Sequence, residues 1–266
     1  MWSTHFFKHY FRVILFHIVY DTPFYRLLSI TASPRGAKYS SYLLSYYDFV
    51  VWAINSPICW GIEASTIASL YASNAGQKHG DIGPGTGFFL PGSPLVRDLT
   101  VFDFNTESLF MVKDKLLPPN QLTSLHLFMA DMMESDPFID PSISGPPFTW
   151  IKEGSFDSVA ANFVVHCLKE QAGEGGGIKG KEVFFTNVVK LLKPGACFFG
   201  STIVNEQDFF KDCKRGTEIM RRFNGNGIFH NINDTQADLR EVLERHFDSV
   251  TCDLVGAVCV FSAFKR

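Results

Sequence analysis

The chain has 266 residues, 46% of them hydrophobic and 19% charged, with a formal net charge of −3. That length supports one sizeable core, the composition excludes an intrinsically disordered chain, and the charge argues against a broad basic face for nucleic acid. Six cysteines stand apart without a C-x-x-C pair, several inside apolar runs, so they are expected to be reduced structural thiols of a cytoplasmic protein.

The first thirty residues are rich in aromatics, including Phe6, Phe7, Tyr10 and Phe11, but Lys8, His9, Arg12 and His17 interrupt them. The uninterrupted apolar stretch falls short of the ~20 residues a spanning helix needs, and no small-residue cleavage site follows. The segment reads as an amphipathic helix packed on the domain or as an appendage, without stable membrane insertion; a helix lying on a membrane surface is the alternative. Residues 31–41, rich in Ser, Pro, Gly and basic side chains, read as a linker. The chain then divides into an N-terminal extension over 1–38 and a main domain over 39–266. Between Tyr42 and Asn74 the apolar spacing predicts two helices broken at Asn55, Ser56 and Pro57, so that residues 39–75 form a helical lid.

Beyond Asn74 short apolar runs alternate with helical stretches, the pattern of an α/β, Rossmann-like sheet, mostly parallel, with helices on both faces. Strands are expected at 79–82, 99–104, 125–130, 158–163 and 196–204. Two further runs, 249–255 and 257–264, flank Gly256 too closely for a helical crossover and should pair as an antiparallel C-terminal hairpin, making seven strands. Residues 134–154 and 169–181, dense in Pro and Gly respectively, read as loops.

The segment from His79 to Leu90 reads as a strand, a glycine-rich turn and the start of a helix. Gly83, Gly85 and Gly87 let the backbone turn sharply and leave room for a ligand against the main chain. Asp81 places a carboxylate before the turn, suited to a positively charged centre. A dinucleotide fingerprint wants G-x-G-x-x-G, but the sixth position from Gly83 is Phe88, which disfavours NAD. Asp103 ends the second strand about twenty residues on, where an acidic side chain accepts from ribose hydroxyls, and Asn105 is a second candidate. Asp131 after the third strand could equally cap a short helix. Asn162 and His166 are polar in an apolar stretch that leaves the fourth strand. His166 is either a general base, a substrate-orienting group or a hydrogen-bonded core histidine. Leu191-Leu192-Lys193-Pro194-Gly195 ends a helix before the fifth strand.

Taken in order, the strand with its D-x-G-x-G-T-G loop, the acidic strand end, Ala130-Asp131-Met132, Phe156-Asp157-Ser158 and Leu192-Lys193-Pro194-Gly195 resemble the class I S-adenosylmethionine (SAM)-dependent methyltransferases, over most of residues 42–264. More narrowly the chain is similar to the small stand-alone methyltransferases of bacteria and filamentous fungi that accompany polyketide synthases and O-methylate pyrones. Tyr47-Asp48, Trp60, His166-Cys167-Leu168, Asn224, Gly227-Ile228-Phe229 and Asn231 with Asp234 carry that narrower likeness. The resemblance implies SAM as cofactor, held by Asp81, Gly83, Gly85, Gly87, Asp103, Asn105, Asp131, Met132 and Asn162, with Asp131 on the adenine amino group and Met132 on the ring. It implies a small-molecule acceptor with His166 as the catalytic residue, no metal, and no nucleic-acid partner. The segment after Leu168 departs from the pattern, with Lys-Glu-Gln-Ala and glycines in place of a Pro-Gly turn. A nucleotide-dependent oxidoreductase and a catalytically silent SAM-binding partner of a biosynthetic complex are the competing readings. The acceptor, the methylated atom and the oligomeric state stay open.

Overall fold

The computed structural model describes residues 4–21, 30–33, 36–116, 122–134, 151–171 and 176–266. In chain order α1 (Thr4–Tyr20) precedes β1 (Ile30–Ser33) and β2 (Gly36–Tyr39), α2 (Ser41–Tyr47), a π-helical segment Asp48–Trp60 and α3 (Ala64–Asn74). The alternating part follows as β3 (Lys78–Ile82), β4 (Asp98–Asp103), α4 (Thr106–Leu116), β5 (Ser124–Met129) and β6 (Phe156–Asn162). It continues through α5 (Glu182–Leu191), β7 (Leu192–Ile203), α6 (Gln207–Asp212), α7 (Lys214–Gly225) and α8 (Gln236–His246) to β8 (Phe247–Val255) and β9 (Val258–Lys265).

Seven strands form one sheet in the order β5-β4-β3-β6-β7-β9-β8, parallel as far as β7 and antiparallel at β9 and β8. Successive residues of a strand face opposite ways, and the core divides accordingly. Val101, Ala160 and Phe199 pack with α3, the π-helical segment and α7, whereas Phe102, Val159 and Phe198 pack with α5 and α8. The fold is therefore the expected Rossmann-like sheet, and its order reverses beside β3, where open α/β sheets bind ligands beyond the strand ends.

Four local expectations change. Residues 31–41 are not a bare linker: β1 and β2 pair antiparallel from Ile30↔Tyr39 to Ser33↔Gly36. The break foreseen at Asn55-Ser56-Pro57 comes later, at Gly61 in the left-handed region (φ 70°); Pro57 lies inside the π-helical segment, whose wide turns take the pyrrolidine ring. No α-helix follows the glycine turn, only one 3₁₀ turn at Leu90–Gly92, where Pro91 and Gly92 oppose helix propagation. Lys193, Pro194 and Gly195 stand within β7 as a bulge, since Phe156 pairs Leu192 but Ser158 pairs Cys197.

Helix α1 lies on the π-helical segment, burying Phe16, Val19 and Tyr20, and Arg12 grips Glu63 through two hydrogen bonds of 2.5 and 2.8 Å. Its outer face leaves Tyr10, Phe11, Ile14 and Ile18 exposed. Among the described residues no helix is long and apolar enough to cross a membrane. The expected loops fall partly outside the described residues, at 135–150 and 172–175.

Candidate active site

A cavity of about 750 Å³ opens at the carboxyl ends of β3, β4 and β5. Gly83 and Gly85 form its floor in the left-handed conformation (φ 61° and 60°), and Ala130, Asp131 and Met132 line one side. A Cβ on Gly85 would meet only Tyr47, at 3.5 Å, so the glycine keeps the loop open toward the cavity. Asp103, 8% exposed, accepts from the Asn105 backbone N–H at 2.8 Å. Burial pushes its carboxyl up to about 7, against the stabilising hydrogen bonds from Asn105, Ser108 and Phe104. Asn105 Nδ2 donates to Tyr39 O at 3.0 Å, which fastens the end of β2 beside the cavity. Asp131 Oδ1 accepts from Met133 N at 3.0 Å within a turn, and no helix follows it among the described residues.

A second cavity of about 620 Å³ adjoins it, and Tyr39, Tyr47, Phe163 and Cys167 belong to the walls of both. Its other walls come from α1 through Tyr20, from the π-helical segment through Val50, Asn55 and Trp60, and from Phe223 and Phe229. Among the described residues no carboxylate, lysine or arginine lines it. Trp60 is set by the C-terminal hairpin: Ala257 N donates to Trp60 O at 2.9 Å, and a Cβ on Gly256 would come within 2.1 Å of that oxygen.

His166 lines this second cavity and is 2% exposed, on a 3₁₀ turn Val165–Cys167 beyond β6. Its Nδ1 accepts from the Ile203 backbone N–H at 3.3 Å, and because that N–H can only donate, the ring proton belongs on Nε2. Burial, helped by the Lys181 charge, brings the imidazole down to about 3. The ring is thus a neutral donor at physiological pH, which favours the orienting role over the general base among the readings its position allowed. Beneath it Lys181 Nζ donates to Val165 O at 3.1 Å, His230 O at 2.7 Å and Asp234 Oδ2 at 2.7 Å. The Lys181–Asp234 pair is fully buried, and burial pulls both groups toward their neutral forms.

Three expected ligand groups sit away from the cavity walls. Asp81 is fully buried, accepts from Tyr71 Oη at 2.6 Å and lies 3.8 Å from His79 Nε2; burial raises its carboxyl. Asn162 accepts from Ser201 Oγ at 2.9 Å, and Gly87 packs against Val112 and Leu90. Asp81 Oδ1 and Asn162 Nδ2 nonetheless have no hydrogen-bond partner. Of the lid aromatics, Tyr47 and Trp60 reach the second cavity, Trp52 packs against Phe89 and Phe163, and Tyr46 is exposed. Tyr47 owes its place to the residue after it: Asp48 accepts from Thr86 Oγ1 of the glycine turn and from Lys115 Nζ at 3.1 Å. The reading of the residues did not single out Tyr20, Tyr39, Asn55 as a polar group, or Phe163; none carries a local signal, since only packing brings them to the cavities.

No family model matches the chain. It is 29% identical over 233 residues to the O-methyltransferase adaD of Aspergillus niger, covering 86% of this chain and 88% of that protein. It is 26% identical over 231 residues to the demethylluteothin O-methyltransferase of Streptomyces thioluteus, covering 86% and 90%. Among solved structures an O-methyltransferase family protein of Burkholderia thailandensis superposes with a TM-score of 0.57 at 11% identity, over 84% of this chain and 60% of that one. The chain thus spans three fifths of that structure, whose likeness concerns the fold.

Proposed function

We propose that this chain, a methyltransferase of the class I Rossmann-like fold by its architecture and its relatives, transfers a methyl group from SAM to a hydroxyl oxygen of a small, flat secondary metabolite such as a polyketide or pyrone. The observation that carries the reading is the pair of cavities sharing Tyr39, Tyr47, Phe163 and Cys167, one ending in Asp103 and the other apolar and aromatic.

The first cavity fits SAM on this chain's own features. Its floor is a glycine turn open to an occupant, and a buried carboxylate faces it. In this proposal Asp103 and Asn105 hold the ribose, Asp131 takes the adenine amino group, and Met132 packs on the ring. Gly85 leaves room for the chain of the ligand, Gly83 makes room for Val164, which would lie 2.7 Å from a Cβ there, and Gly87 shapes the loop. Asp81 and Asn162 lie behind the walls and support them, through Tyr71 Oη and Ser201 Oγ. SAM, when bound, supplies an electrophilic sulfonium methyl group.

The second cavity holds the acceptor. Its aromatic walls exclude water and fix a flat ring by contact, and positioning of this kind supplies much of a methyl transfer's acceleration. The acceptor hydroxyl gives up its proton to solvent, and the Nε2–H of His166 donates to the resulting oxyanion and holds it in line while the oxygen spends its charge on the new O–CH₃ bond as the S–CH₃ bond breaks. A cavity without an ionised base suits an acceptor acidic in its own right, a phenol or enol.

The test is incubation of the purified chain with SAM and a set of phenols and hydroxypyrones, read by mass spectrometry for one added methyl group, alongside calorimetric titration with SAM and with NADPH. Binding of NADPH in preference to SAM overturns the reading in favour of an oxidoreductase. SAM binding with no methylated product from any of them favours a silent binding partner.

A further inference from the structure

The second cavity is apolar except at a few points, and one polar atom in it has no account. Asn55 lines the cavity from the middle of the π-helical segment and is 4% exposed. Its Nδ2 donates to Tyr20 Oη of α1 at 2.6 Å, a hydrogen bond between residues 35 apart in sequence that fixes the plane of the amide. Its Oδ1 has no hydrogen-bond partner among the described residues. Leaving a buried carbonyl unpaired costs more than a surface site would, and an apolar side chain would fill the same volume without that penalty. A half-turn of the amide would let Oδ1 accept from the Tyr20 hydroxyl but would leave Nδ2 unpaired in its place, so one end of the amide lacks a partner in either orientation.

We propose that Asn55 Oδ1, oriented by Tyr20, receives a second free hydroxyl of the acceptor, so that the enzyme selects polyhydroxylated aromatics over those with one hydroxyl. The inference rests on the acceptor reading of the second cavity and sharpens it. The cavity offers opposite hydrogen-bond characters, a donor at His166 Nε2 and an acceptor at Asn55 Oδ1. An acceptor molecule must therefore present an oxygen that accepts at one position and an O–H that donates at the other. A methyl ether at the second position cannot donate, and a carboxylate there would set negative charge against a carbonyl oxygen. Such a site discriminates by an unpaired buried group, which rejects a ligand lacking the hydroxyl more strongly than apolar contact can. Tyr20 gives α1 a direct part in the choice, because it holds the amide from outside the lid.

The test uses the full chain loaded with S-adenosylhomocysteine, so that binding is read without turnover, and two probes of the same ring, naphthoresorcinol with two hydroxyls and α-naphthol with one. Calorimetry follows each titration. The wild-type chain should bind naphthoresorcinol about tenfold more tightly than α-naphthol, the ratio set by one hydrogen bond to a buried group. Asn55→Leu should bring the ratio close to unity while α-naphthol affinity changes by less than about threefold, and Tyr20→Phe should reduce the ratio by releasing the amide. A ratio unchanged in Asn55→Leu, with only a lower melting temperature, assigns Asn55 a purely structural role and overturns the proposal. A wild-type ratio of unity overturns it as well, even where Asn55→Leu fails to fold. If S-adenosylhomocysteine binds and neither probe does, the acceptor reading falls with it; if S-adenosylhomocysteine itself does not bind, the cofactor reading is what failed.

Discussion

The first cavity takes its polar groups from the ends of sheet strands, whereas the second takes its walls from α1, the π-helical segment and the aromatic residues near α7. Strand ends in a parallel sheet are fixed by ladder hydrogen bonds on both sides, so a side chain such as Asp103 is placed by backbone that cannot drift. The second set of walls belongs to helical pieces from distant parts of the chain, held by apolar packing and by side-chain pairs such as Arg12 with Glu63 and Asp48 with Thr86 and Lys115. A rigid polar half and an assembled apolar half make physical sense for a methyltransferase that always meets one cofactor but was fitted to its own acceptor.

The contrast can be broken most severely from below His166. Lys181→Met leaves Asp234 buried without its cation, and losing one partner of such a pair costs about 3–5 kcal/mol. Urea unfolding at pH 8, where Asp234 would otherwise be ionised, should show the loss; a change under about 1 kcal/mol would mean the pair is not buried as described.

Next in size is Asp103→Ala, expected to weaken SAM binding by about 1.5–3 kcal/mol, the range for hydrogen bonds to a charged group. Probe binding in the second cavity should be unaffected. The pH dependence follows from the same group. Its folded value of about 7 lies above the unfolded carboxylate value, so the native chain holds the extra proton between about pH 4 and 7, and stability from this group falls as pH rises through that window. His166 acts in the opposite sense: a folded value of about 3 means that the unfolded chain takes up the proton first, so stability falls as pH drops from about 6.5 toward 3. Asp103→Asn should remove its share of the loss toward higher pH and His166→Gln its share of the loss toward lower pH, measured as urea midpoints from pH 4.5 to 7.5. SAM affinity should decline as pH falls below about 7 in the wild type and lose that dependence in Asp103→Asn.

A smaller effect is expected for His166→Gln on methyl transfer. As a neutral donor it should cost about tenfold, the size of one hydrogen bond, with the pH profile of kcat unmoved. A loss of about 10²–10⁴-fold together with a vanished acid limb would restore the general-base role. Smallest of all, Lys115→Met should cost about 0.2–1 kcal/mol in salt-sensitive stability, since Lys115 and Asp48 are each about a third exposed. If acceptor affinity falls by more than about tenfold in that variant, the two halves are less separate than their construction implies.

The rigid half is also the half that local sequence reveals. Short apolar runs between helical stretches located the seven strands of the sheet, because central strands buried on both faces read as nearly continuous apolar sequence. The interval from Gly83 to Asp103 located the polar wall, because one βαβ-like step has a nearly fixed length. Asp81 shows the limit of that reading: it shares a face with His79, two residues away, and both meet Tyr71 of α3 instead of the cavity. That periodicity was available and points away from the ligand. Tyr39 could not be found so, since a segment of Ser, Pro, Gly and basic residues gives no hint that its last residue will close a hairpin and carry Asn105. Tyr20 and Asn55 meet across 35 residues, and the protonation of His166 depends on a backbone N–H of β7. Each is a tertiary fact without a local cause.

The shared wall has a thermodynamic consequence. Tyr39, Tyr47, Phe163 and Cys167 each face both cavities, so whatever fills one sets the surface that the other presents. Linkage then requires reciprocity: the factor by which SAM strengthens or weakens acceptor binding must equal the factor by which the acceptor alters SAM binding. With SAM and acceptor placed as proposed, the two ligands form one coupled equilibrium, with four side chains as the common term.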